Sequence, residues 1–219
     1  MDFIMTVIDF FLHLDVHLGE IIENYQNGTY AILFGIIFAE TGLVVTPFLP
    51  GDSLLFAAGT FAARDWLDVR LLLLIFSVAA ILGDAVNYWA GNFIGPRVFK
   101  PDALVLKEEY LERTHRFYEK HGGKAVILAR YVPIMRTLVP FVAGIGAMEY
   151  KRFALYNVTG GLAWVFIFTL LGFFFGEIPA VEENFTLAIM GIILLSITPG
   201  IYEFVRHKMR QAKEAEETA

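Results

Sequence analysis

Ala125-Val-Ile-Leu-Ala-Arg130-Tyr-Val-Pro133-Ile-Met-Arg136-Thr-Leu-Val-Pro140-Phe-Val-Ala-Gly144-Ile-Gly-Ala-Met148 is the stretch on which the fold turns. It is apolar enough to enter a lipid bilayer, yet Arg130, Pro133, Arg136 and Pro140 fall close together within it. Proline removes a backbone donor and clashes with the preceding turn, so this cannot be one straight helix. Its halves, at about 1.5 Å per residue, are mostly too short for an acyl core about 30 Å thick. An earlier stretch has the same character. Tyr30 to Leu49 is interrupted by Glu40 and ended by Pro47 and Pro50, and only the short apolar run Ser53 to Ala63 follows. Both read as re-entrant helical hairpins, over 30–63 and 125–148. In each, a short helix dips in, breaks near the prolines, and a second returns to the same face. Irregular backbone at that depth needs protein or water to shield it.

Composition sets the frame. Of 219 residues, 57% are apolar or aromatic and only 18% are charged, against roughly 25% charged in soluble domains. Mean hydropathy is +0.58. These figures exclude an ordinary soluble core, a nucleic-acid binder and a disordered chain, and leave a membrane protein. There is no Cys, hence no disulfide or thiol chemistry. The stretch before Arg64 holds no Lys or Arg, so the basic start of a cleavable signal is not expected.

Simple crossings are expected at Leu71 to Ile94, Phe153 to Phe175 and Phe185 to Phe204, within segments 68–95, 153–176 and 185–205. Charge placement tests the topology. Arg97 to Lys124 holds seven Lys or Arg and the tail from Arg206 holds four, whereas 1–29 and 177–184 hold none. If both hairpins return, 97–124 and 206–219 share one side, and the rule that short basic loops stay cytoplasmic puts them there. A pair of full crossings gives the same sidedness; the short half-lengths argue for re-entrance.

Two further segments read as interfacial amphipathic helices. One lies in 1–29, with Phe3, Val7, Phe10, Phe11, Leu14 and Leu18 opposite Asp2, Asp9 and Asp15. The other lies in 97–124, with Tyr110, Leu111, Phe117 and Tyr118 among charged residues. The fold class is therefore all-α integral membrane, each hairpin followed by a transmembrane helix. Shifting the first hairpin by ninety residues lays Ala39-Glu40 over Ala129-Arg130 and Pro50 over Pro140. Each following helix ends in a Gly-x-x-x-Gly step, Gly91–Gly95 and Gly172–Gly176. The pattern suggests an inverted repeat, a recurring transporter plan.

Glu40, Asp52, Asp84, Arg130 and Arg136 fall inside apolar stretches. Each such charge costs near 2.5–3.5 kcal/mol at a helix centre, so they must be paired, protonated or hydrated. Glu40 and Asp52 from the first hairpin are expected to face Arg130 and Arg136 from the second. Arginine's planar fork suits a phosphate, and a carboxylate in low dielectric gains proton affinity. Arg130 and Arg136 are therefore the candidate phosphate-binding residues, and Glu40 and Asp52 the proton-coupling ones. Asp84, with Asn87 and Tyr88, forms a polar stripe that lines a water path, bonds a hairpin or makes a helix–helix contact. No Gly-x-x-x-x-Gly-Lys loop and no His-Glu-x-x-His occurs. His13, His17, His115, His121 and His207 lack metal-ligand spacing. No nucleophile, base and orienter set lies in the membrane part, so neither an enzyme nor a metal or other cofactor is expected.

The chain resembles the DedA family. The resemblance is carried by Glu40-Thr-Gly with Pro47-Phe-Leu-Pro-Gly-Asp52-Ser, by Ala129-Arg-Tyr-Val-Pro-Ile-Met-Arg-Thr-Leu-Val-Pro-Phe-Val-Ala-Gly144, by Phe117-Tyr-Glu-Lys-His-Gly-Gly123, and by Tyr156-Asn157. It implies a multi-pass bacterial inner-membrane protein with two re-entrant hairpins, whose functional acids and arginines map onto Glu40, Asp52, Arg130 and Arg136. Pro50, Gly51, Pro133, Thr137, Pro140 and Gly144, with Asp84, are the supporting positions. Relatives are linked to recycling polyprenyl phosphate or scrambling phospholipids, with dependence on the proton-motive force. The expected activity is proton-linked flipping of undecaprenyl phosphate or a related anionic phospholipid. The expected partners are that lipid, protons and the membrane, with a homo-oligomer possible and no nucleic acid. A proton-coupled ion or solute antiporter, a lipid-phosphate enzyme and a non-transporting scaffold are the rival readings.

Overall fold

The computed structural model describes residues 14–43, 51–95, 108–176 and 178–182, with some positions between 185 and 192. Among the described residues every regular element is helical. In chain order these are α1 (Leu14–Tyr25), α2 (Thr29–Gly42), α3 (Gly51–Ala63), α4 (Val69–Ile94), α5 (Glu108–His121), α6 (Ala125–Ala129), α7 (Pro133–Val142), α8 (Tyr150–Phe175) and the short α9 (Pro179–Glu182). The start of the N-terminal amphipathic segment, Pro47, Pro50, most of 185–205 and the tail 206–219 lie outside the described residues.

The crossing helices α4 and α8 have 26 residues each, roughly 39 Å at the α-helical rise and enough to span an acyl core. Both begin earlier than hydropathy suggests. Asp68 caps α4, its Oδ1 accepting from the amides of Arg70 at 2.7 Å and Leu71 at 3.2 Å, which satisfies donors otherwise left without partners. The first turn of α8 holds the exposed Lys151 and Arg152, which hide it from an apolar count. Along α4, Leu74, Leu82, Val86 and Phe93 face outward while Asp84 and Asn87 face inward. On α8, Leu155, Phe166 and Phe174 face out while Asn157 and Thr169 face in. Apolar outside with polar inside is the arrangement that lipid favours and water does not.

Where hairpins are expected the helices are broken. The first stretch is divided into α2 and α3. The second stops at Ala129, runs through Arg130–Val132 and restarts at Pro133. Val132 is extended, as residues before proline are pushed to be. Proline fits the first helical position because no intrahelical acceptor awaits its missing N–H. After α7 the chain makes a π-helical turn, Ala143–Ala147, interrupted within it at Gly146 with φ 122°, a left-handed value that glycine tolerates.

Packing is reciprocal between the two halves. The first broken helix of each pair lies on the crossing helix that follows it, α2 on α4 and α6 on α8. The second lies on the other half's crossing helix, α3 on α8 and α7 on α4. Both cross-packed seams place glycine against backbone. A Cβ on Gly59 would overlap the Thr169 carbonyl, and one on Gly172 the Phe56 carbonyl. In the other seam, a Cβ on Gly144 would overlap the Tyr88 carbonyl and one on Gly91 the Phe141 carbonyl. Phe56 and Gly59 thus correspond to Phe141 and Gly144, and Gly91 to Gly172. This register corrects the ninety-residue shift for the second legs. By contact Pro140 corresponds to Leu55 rather than Pro50, because seam geometry, not proline position, sets the register.

Two amphipathic helices cover the core. Leu18 and Ile22 of α1 are buried, and Phe61 lies 3.7 Å from where a Cβ on Gly19 would sit. On α5, Phe117 and Tyr118 are buried, and the Tyr118 hydroxyl donates to the Val139 carbonyl at 2.8 Å. Burial also pushes that phenol's pKa well above its ordinary value. The helix is therefore docked onto α7 rather than only resting on a membrane surface.

Gly91→Val and Gly172→Val, each driving a branched side chain into a carbonyl, are expected to cost about 1–3 kcal/mol. Thermal unfolding in detergent reads this. Gly35→Ala, where a Cβ meets nothing within 4 Å, leaves the midpoint unchanged or higher; an equal drop there removes the close-packing argument.

Candidate functional site

The breaks bring five charges together. Among the described residues the buried charges are Glu40, Asp52, Asp84, Arg130 and Arg136. Glu40 lies in the last turn of α2 and Asp52 in the first turn of α3, where the helix N-terminus favours a carboxylate. Glu40 Oε1 accepts from the Gly51 amide at 3.0 Å, tying the two legs across their break. A side chain at 51 would collide with that carboxylate, so Gly51 is required by contact.

Arg136, on α7, reaches both acids. Its Nη1 donates to Glu40 Oε1 at 2.6 Å and its Nη2 to Asp52 Oδ1 at 2.5 Å. Its Nε donates to the Arg130 carbonyl at 2.9 Å, an acceptor lying in the break before Pro133. Trp164 of α8 completes the cluster. Its Nε1–H donates to Asp52 Oδ1 at 2.7 Å, and its ring lies 4.7 Å from the Arg136 guanidinium. Cation–π attraction adds to the ion pairs there.

Arg130 does not face Glu40 or Asp52. This corrects the sequence expectation. Its Nη2 is paired with Asp84 of α4 and donates to Asn157 Oδ1 of α8 at 2.6 Å. Asn157 Nδ2 in turn donates to the Ile81 carbonyl at 3.0 Å. The physical reason is the break itself: Arg130 leaves the chain before Pro133 and Arg136 one turn after it, so they point to different neighbours. Asp84 is therefore an ion-pair partner bonded to the second broken segment, which resolves its reading in favour of a hairpin contact. Arg130 also stands 6.0 Å from the Trp164 ring, so one aromatic side chain adjoins both guanidiniums.

The supporting positions divide. Asn87, one turn after Asp84, donates to the carbonyls of Thr41 at 3.3 Å and Thr137 at 2.8 Å, joining α2 and α7 through α4. Tyr88 donates to the Met148 carbonyl at 2.9 Å and stacks on Phe153. Pro133 starts α7, Pro140 lies buried inside it, and Gly144 sits against α4. Pro50 lies outside the described residues. Trp164 and the bonding of Asn157 escaped the sequence reading. A tryptophan in an apolar helix carries no signal distinguishing a buried hydrogen-bond donor from a lipid-facing ring.

Comparison with known proteins places this architecture. A family model described as the VTT domain matches residues 49–174. The chain is 55% identical over 218 residues to Protein DedA of Escherichia coli K12, covering 98% of this chain and 100% of that protein. It is 39% identical over 182 residues to an uncharacterised membrane protein of Mycobacterium leprae, covering 81% and 82%. It is 38% identical over 151 residues to the inner membrane protein YqjA of Escherichia coli K12, covering 68% and 69%. No solved structure matches. The chain, helical in every regular element among its described residues, is a membrane protein, and it belongs to the DedA family.

Removing one partner from a buried pair leaves an uncompensated charge, typically costing about 3–5 kcal/mol. Arg136→Ala, which strands two carboxylates, is expected to lower the unfolding midpoint most. Trp164→Phe keeps the ring but loses a hydrogen bond to a charged acceptor, worth about 1.5–3 kcal/mol. If Arg136→Ala unfolds like the unsubstituted protein in a detergent melt, the clasp does not hold the helices.

Proposed function

We propose that the chain moves an anionic lipid headgroup across the membrane in a proton-linked cycle, with undecaprenyl phosphate or a related anionic phospholipid as cargo. The observation that carries this reading is a sealed cluster of two guanidiniums and three carboxylates between broken helices. Purely structural pairs are poor stabilisers compared with apolar packing, so a cluster of this size favours a task. Arginine matches phosphate geometry, and a buried carboxylate that loses its cation is driven to take a proton. Arg130 and Arg136 would supply the positive charge that draws the phosphate; when the site is empty Asp84 is the counter-ion of Arg130, and Glu40 and Asp52 are those of Arg136.

In this reading α2–α3 and α6–α7 are re-entrant, entering from opposite faces. The basic segment 97–124 and the tail 206–219 lie in the cytoplasm of a bacterial inner membrane. The broken helices rock against α4 and α8 to open the site to each face in turn, while the acyl chain stays in lipid. Neutralising the headgroup inside the protein is what lowers the barrier to crossing. The cycle needs no bond cleavage and no cofactor.

The test is reconstitution in liposomes carrying undecaprenyl phosphate, with and without a pH gradient. Flipping should exceed that of empty vesicles by about tenfold or more, equivalent to about 1.4 kcal/mol off the barrier. It should respond to the gradient and fall with Arg130→Gln. A rate equal to empty vesicles sinks the proposal. Proton-coupled cation flux without lipid movement replaces it with an antiporter, and release of inorganic phosphate replaces it with an enzyme.

A further inference from the structure

The two guanidiniums are engaged to very different degrees. Arg136 has all three nitrogens in hydrogen bonds, two of them to separate carboxylates. Arg130 is 1% exposed and carries both its bonds on Nη2, while Nε and Nη1 have no acceptor. Its partner is equally incomplete. Asp84, also 1% exposed, gives Oδ2 to Arg130 and leaves Oδ1 without a donor. Buried charged groups with unmade hydrogen bonds are costly, so this pair is held by one contact where geometry allows more.

We propose that Arg130 and Asp84 are the exchangeable pair of the site: a phosphate takes Asp84's place on Arg130, Asp84 takes up a proton, and the Arg136 clasp stays closed. The proposal rests on the lipid-phosphate reading and reassigns the proton from Glu40 and Asp52 to Asp84. A phosphate brings more acceptor oxygens than a carboxylate and can serve the nitrogens that Asp84 leaves idle. Two adjacent glycines of α8 let the guanidinium lie close against that helix. A Cβ on Gly160 would come within 3.4 Å of Nε and one on Gly161 within 3.3 Å of Nη2, both tight contacts. Asn157, one turn earlier, remains as a neutral ligand that either anion can share.

Charge balance gives the proton its place. Arg130 faces Asp84 directly, Arg136 is the further cation acting on it, and Tyr118 of α5 is the phenol it influences. When a phosphate monoanion occupies Arg130, a buried carboxylate at 84 would stand without its cation. That is far more costly than a neutral carboxyl. One proton therefore enters from water on the open side as one monoanion binds, and it leaves as the monoanion is released. The net charge of the site is unchanged at each step.

The experiment titrates the detergent-solubilised full chain with dodecyl phosphate by calorimetry in two buffers of different ionisation enthalpy, which counts protons bound. The unsubstituted protein should take up about one proton per phosphate. Asp84→Asn should bind at least as tightly with no uptake, Asp84→Glu should restore uptake, and Arg130→Lys should lose about tenfold in affinity, about 1.4 kcal/mol. Asp84→Glu carries the test if the asparagine variant does not fold. Proton uptake that survives in Asp84→Asn, or is abolished by Glu40→Gln, overturns the Asp84 assignment and leaves the lipid reading standing. No binding to the unsubstituted protein overturns both. Inorganic phosphate as a second titrant separates free from lipid-borne phosphate: either ligand upholds the exchange, and only a preference for dodecyl phosphate upholds the lipid reading.

Discussion

Arg136 between Glu40 and Asp52 is the contact around which the other elements are arranged, because a buried guanidinium is costly unless it is paired and hydrogen-bonded. Two come from the ends of α2 and α3 and a third from the carbonyl of Arg130. The carbonyl is open to the guanidinium because the helix breaks at Arg130, and the two carboxylates flank the break between α2 and α3. The breaks are thus part of the charge compensation as well as consequences of proline. An unbroken helix at either place would withdraw the Gly51 amide or the Arg130 carbonyl from the network.

The crossing helices supply what the breaks cannot. They turn apolar faces outward and polar residues inward, so Asp84, Asn87, Asn157 and Trp164 all meet the broken segments. Glycine seams bring α3 onto α8 and α7 onto α4 at backbone contact. The exchange of partners between halves means neither half completes its own charge cluster: Glu40 and Asp52 need Arg136, and Arg130 needs Asp84. Buried ion pairs give little net stability but punish any wrong partner, so they fix how the halves meet.

The difference between the two arginines gives the cluster a direction. One is saturated by two acids and a carbonyl; the other is bound by a single nitrogen and has idle donors. Trp164 adjoins both, stacking closely on Arg136 and more distantly on Arg130. In the proposed cycle this inequality would let one pair exchange an anion while the other holds the walls, since equal pairs would open together.

Sequence alone determined the parts governed by local physics. Hydropathy located α4 and α8 to within a few residues, proline located the break before α7, and the cost of charge in lipid singled out Glu40, Asp52, Asp84, Arg130 and Arg136. Which acid meets which arginine was decided only in three dimensions. Six residues and a proline separate Arg130 from Arg136, and no spacing rule says which way each points beyond an extended Val132. The pairing of Asp84 with Arg130, the register of the glycine seams and the part played by Trp164 depend on helices far apart in the chain. A carboxylate, a glycine or an indole looks alike in sequence whether it meets a partner, a backbone or lipid, and only packing distinguishes these.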